Sequence, residues 1–91
     1  MIRFNLTVDG RYSAELSLEA DAQGPFSGTV AAGQYGTAPI TEGVRTGDRL
    51  SGKVELRGVH AHVDATLMGD RIVGNLHGWF FNLPFVGNRE G

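Results

Sequence analysis

Residues Val59–Gly78 read VHAHVDATLMGDRIVGNLHG. Apolar or small residues fall at every second position on both sides of Gly69-Asp70, the alternation of two strands that each bury one face. With Gly69-Asp70 as a two-residue turn, Leu67 lies opposite Ile72, Ala65 opposite Gly74, Val63 opposite Leu76 and Ala61 opposite Gly78. A slip of one residue would carry that whole set to the other side of the sheet, so this face is the inner one. The outer face then pairs Asp64 with Asn75, His62 with His77 and His60 with Trp79. The same reasoning at Arg57-Gly58 sets Lys53 beside His62 and Glu55 beside His60, with Val54 and Leu56 inward, so the two hairpins agree.

Outward from this segment the period-two pattern continues. It predicts strands over Ile2 to Val8, Tyr12 to Leu18, Phe26 to Ala32, Ala38 to Val44, Leu50 to Leu56, Val59 to Leu67, Ile72 to Gly78 and Leu83 to Arg89. Asp9-Gly10, Gly24-Pro25, Gly33-Gln34 and Gly47-Asp48 supply further turn signals, and no helical periodicity remains. Eight hairpin-linked strands in an open sheet would expose two edges, and closure removes them. The expectation is an all-β, single-domain chain over 1–91, an eight-stranded antiparallel up-and-down (meander) β-barrel. A flattened sandwich of the same meander is the alternative. An eight-stranded barrel has an interior that side chains can fill or that can hold one small ligand.

Composition narrows the function classes. Eight Lys and Arg stand against ten Asp and Glu, a formal charge of -2. That balance provides no basic field for nucleic acid or for an anionic membrane, so neither is an expected partner. Without cysteine there is no disulfide, thiolate metal site or cysteine nucleophile. The opening MIRFNLTVDG alternates from its start and carries no continuous apolar run of the kind that targets or spans, so a cytoplasmic protein is expected. No nucleophile elbow and no phosphate-binding glycine loop opens onto a helix, and no cofactor is implied.

The segments GPFSGTV (24–30), TGDRLSGKVEL (46–56), MGDRIVGNL (68–76) and PFVGNREG (84–91) give the chain a strand-hairpin rhythm. In this it resembles the small calycin-type bacterial barrels, the group that includes lipocalins and avidin-like proteins. The resemblance implies a closed barrel that binds a small apolar ligand, with a few enzymes among its members. It also implies a Trp on the first strand paired with an Arg on the last at the closed end. Arg89 matches the second position, whereas the first strand offers Phe4 and no Trp.

Four sets of candidate residues follow. Phe4, Tyr12, Leu16, Phe26, Ile40, Val54, Leu76 and Phe85 are inward positions and would line a pocket for an apolar or aromatic ligand. Inward glycines between them either mark such a pocket or admit neighbouring rings. A three-residue loop over Thr46, Gly47 and Asp48 turns Glu42 inward, where a carboxyl with a raised pKa, helped by Tyr12 or Tyr35, would serve acid-base catalysis such as isomerisation, cyclisation or elimination. A bulge near Pro39 would instead turn Glu42 to solvent. His60, His62 and His77 converge on the outer face as a three-nitrogen metal site, opposed by the adjacent Lys53 ammonium and by the ordinary reading of a solvated strand face. Finally, Val73, His77, Trp79, Pro84 and Val86 would form an outward apolar patch, the expected interface of a homo-oligomer or of an accessory interaction module.

Overall fold

The computed structural model describes residues 2–19 and 23–90. Its strands are β1 (Ile2–Val8), β2 (Tyr12–Glu19), β3 (Gly24–Ala31), β4 (Thr37–Thr46), β5 (Arg49–Leu56), β6 (Val59–Met68), β7 (Arg71–His77) and β8 (Asn82–Arg89), with one 3₁₀ turn, Gly33–Tyr35, before β4. Each strand pairs antiparallel with the next, and β8 returns to β1, so the meander closes into a barrel. The hairpins take the expected registers: Leu67 faces Ile72 and Val63 faces Leu76 across Gly69-Asp70, while Leu56 faces Val59 across Arg57-Gly58.

The alternation that builds the strands also sorts the faces. Phe4, Leu6, Val8, Leu16, Leu18, Ile40, Leu50, Val54, Val63, Ile72 and Phe85 form one inner cluster, and no polar or charged side chain among the described residues is buried. The outside carries Arg3, Asn5, Thr7, Lys53, Glu55, His62 and Asp64. An apolar interior inside a polar wall is the inverse of a membrane-spanning barrel, whose apolar band faces outward. No helix among the described residues is long and apolar enough to cross a membrane.

The two ends of the barrel differ. At the end holding the chain termini, Phe4, Leu18 and Ile72 are almost wholly shielded from solvent and fill the lumen. Glycine makes this packing possible: a Cβ on Gly74 would strike the Asp64 carbonyl and come within 2.8 Å of the Phe85 ring, and one on Gly43 would stand 3.0 Å from the Phe26 ring. Phe4 pairs with Arg89 at this end, with Phe4 buried and Arg89 exposed. The opposite end is bounded by the β1–β2 and β5–β6 turns, the 3₁₀ turn and the β7–β8 connection, and there the lumen is open.

One strand departs from the expected register. In β4, Thr41 pairs with Lys53 and Val44 with Ser51, so Glu42 and Gly43 stand against Gly52 alone. Glu42 is the extra residue of this bulge, with a φ of 53°, and its side chain points to solvent. Gly43 takes the inward position in its place, and Val44 moves to the outside. The three-residue loop over Thr46 to Asp48 is also corrected, because Thr46 pairs with Arg49 across a two-residue Gly47-Asp48 turn and Arg45, not Val44, faces Leu50.

Candidate functional site

The open half of the lumen is a cavity of about 790 Å³. Its walls come from every second residue of the strands that reach this end, among them Leu16, Ala38, Val54, Ala61, Leu76 and Phe85. Small residues on alternate strands leave the space: Ala14 on β2, Ala38 on β4 and Ala61 on β6 present single methyl groups where the closed end presents Phe4, Leu18 and Ile72. Polar groups occur only towards the mouth. The Arg57 guanidinium reaches from the β5–β6 turn to donate a hydrogen bond to the Gln34 carbonyl at 2.9 Å, joining two connections across the rim. Beside them the Tyr12 and Tyr35 rings meet edge to face with centroids 6.4 Å apart. Arg11 lies over Tyr12 at 5.6 Å and pairs with Asp9 at 3.6 Å.

Of the inward residues expected to meet a ligand, Tyr12, Leu16, Val54, Leu76 and Phe85 line this cavity. Phe4, Phe26 and Ile40 do not, because they belong to the filled end: Phe26 covers Gly43, and Ile40 covers Gly52. Sequence alternation gives the inner face of every strand but does not say which half of that face is occupied. Phe81 is a lining residue that the pattern misses. The Gly78 N–H donates to the Phe81 carbonyl at 2.9 Å, closing the β7–β8 connection, and the Phe81 ring lies over Gly78 where any Cβ would collide with it. A glycine two residues before a pair of aromatics was the available signal.

Glu42 is not in the cavity. It sits on the outer wall with the Lys53 ammonium 2.7 Å from its carboxylate, and that hydrogen bond and charge, with a smaller contribution from His62, hold its pKa below the usual value for a glutamate. Tyr12 and Tyr35 stand at the mouth, so the acid-base group expected from the sequence is not assembled. The inward placement of Glu42 is corrected by the bulge, which turns it to the side where its charge is solvated and paired.

His60, His62 and His77 occupy the outer face in the expected register, with His62 between Lys53 and His77 and His60 opposite Glu55. They are neighbours without being gathered. His60 lies 3.5 Å from Glu55 and His77 3.3 Å from Asp64, and among the described residues no group of three or more His, Asp or Glu side chains is arranged to hold a metal ion. The result is a row of carboxylate–imidazole neighbours on a solvated face, beside the Glu42–Lys53 ion pair.

The apolar patch divides in two. Val73 and Val86 are exposed partners on the sheet, and Pro84 pairs with Asn75 beside them. Trp79 is not opposite His60, because β7 ends at His77, and it instead projects from the β7–β8 connection next to Phe80. The sequence also allows the Glu19 to Pro25 loop to fold over this patch, and that segment falls partly outside the described residues.

No protein-family model matches this chain, and neither a curated protein nor a solved structure matches it.

Proposed function

We propose that this barrel, calycin-like in its architecture, holds one small apolar or aromatic molecule in its open half. The observation that carries the reading is the cavity itself: about 790 Å³, open at one end, with aliphatic and aromatic walls and its polar groups at the mouth. Pockets for small molecules are commonly ~300–1,000 Å³, mostly apolar, with a few polar groups that set orientation. A cavity with this lining gives water few hydrogen-bond partners, so an apolar guest replaces poorly bound solvent or empty space. The guest's body would lie among Leu16, Val54, Leu76 and Phe85, and any polar substituent would face Tyr12, Tyr35 and Arg57 at the rim. A binding role is favoured over catalysis centred on Glu42 because that carboxylate lies on the outer wall, away from the cavity.

Titration with N-phenyl-1-naphthylamine, a neutral aromatic fluorophore, tests the reading. Saturable binding of one probe per chain is expected, lost in Ala61→Phe, which places a ring in the cavity. Absence of saturable binding, or equal binding by Ala61→Phe, would overturn it.

A further inference from the structure

The charged side chains that line the cavity are Asp9, Arg11 and Arg57, all at the mouth. Asp9 and Arg11 lie 3.6 Å apart and offset each other. Arg57 forms no ion pair among the described residues, so its positive charge is left over at the entrance to an apolar chamber. That surplus is local, because the chain as a whole carries -2.

Arg57 is held in place without being neutralised. One N–H of its guanidinium donates to the Gln34 carbonyl at 2.9 Å, and a neutral carbonyl leaves both the charge and the remaining donors of the fork unused. Gln34 belongs to the 3₁₀ turn Gly33–Tyr35, which is itself closed by the Tyr35 N–H on the Ala32 carbonyl at 3.1 Å and the Gly36 N–H on the Gly33 carbonyl at 3.0 Å. The acceptor is therefore fixed, and it keeps the guanidinium at the rim before any guest arrives. A donor ordered in advance gives up less freedom when it binds.

Charge and surroundings select the head of the guest. A carboxylate or sulfonate accepts paired N–H donors and offsets the leftover charge, whereas a neutral hydroxyl takes a bond and leaves the charge, and an ammonium is repelled. Walls of low polarity concentrate the field of a single charge at the opening. The Tyr12 and Tyr35 hydroxyls, which have no hydrogen-bond partner among the described residues, add donors at the same rim.

We propose that the guest of this cavity is an organic acid, an apolar body carrying one anionic head, and that Arg57 selects it at the mouth. The proposal rests on the cavity reading and adds the class of molecule to it.

Two probes with the same rings separate the two. 8-Anilino-1-naphthalenesulfonate is N-phenyl-1-naphthylamine with one sulfonate added, so the ratio of their affinities measures the anion alone. The native chain should bind the sulfonate about fivefold more tightly, and raising the salt from about 0.1 to 1 M should shrink that preference. Arg57→Met keeps the stem and removes the charge; it should bind the neutral probe as the native chain does and lose the preference. Equal affinity for the two probes in the native chain, or the same preference in Arg57→Met, would overturn the inference and leave the cavity reading standing. Sulfonate binding that persists in Ala61→Phe would overturn it too, since the anion would then be held outside the lumen. Absence of binding by either probe removes both readings.

Discussion

Lys53 and Glu42 meet at 2.7 Å on the outer wall of the barrel, across a bulge that carries Glu42 at a φ of 53°. The contact has a direct consequence for titration. With its folded pKa held low by Lys53, Glu42 contributes stability that is present above its unfolded pKa and lost as pH falls through the folded value. Both side chains are more than half exposed, so the contribution is small. Carboxyl chemical shifts followed by NMR should show Glu42 titrating below the usual glutamate range and returning towards it in Lys53→Met. Glu42→Gln should leave probe binding in the cavity unchanged.

The unequal ends of the barrel should appear in stability. Phe4→Ala removes a fully packed ring and should cost about 3–5 kcal/mol. Phe81 is half-buried beside space that already exists, so Phe81→Ala should cost less than about half of that. Urea unfolding of the two variants measures the contrast.

Gly74 is required by close approach. In Gly74→Ala the new methyl meets the β6 backbone at Asp64 and Ala65 as well as the Phe85 ring, so β6 and β7 must separate and the ring must shift. A loss of about 1–3 kcal/mol is expected in the same measurement.

Zinc should find no specific site at the histidines. His60 and His77 each stand beside their own carboxylate, and Lys53 faces His62. Calorimetric titration should give the same weak heat for the native chain and for His62→Ala, whereas tight binding abolished by His62→Ala would restore the three-nitrogen site.

The hairpins at Arg57-Gly58 and Gly69-Asp70 were legible because one face of each strand is apolar and each turn is two residues long, which together leave a single register. The same alternation along the whole chain, with the two edges an open sheet would expose, was enough for the closed meander. β4 was not legible. Its extra residue is Glu42, an unusual occupant of a positive-φ position, and nothing short of the paired strands shows that Gly43 and not Glu42 faces Gly52. The candidate pocket was half legible for a related reason. Phe4 and Phe85 are equivalent in an alternation pattern, and only the three-dimensional distribution of Ala14, Ala38 and Ala61 against Phe4, Leu18 and Ile72 shows which end is hollow. The alternation, carried one residue past Gly78, sets Trp79 opposite His60, whereas β7 ends at His77 and the Gly78–Phe81 turn leads the chain away.

The occupied cavity is the central claim, and a crystal structure of the chain soaked with N-phenyl-1-naphthylamine tests it most directly. Density for the two ring systems is expected inside the barrel, against Leu16, Val54, Leu76 and Phe85. Density confined to the outer wall, or an interior closed by inward collapse of Phe81 and Leu83, would contradict it.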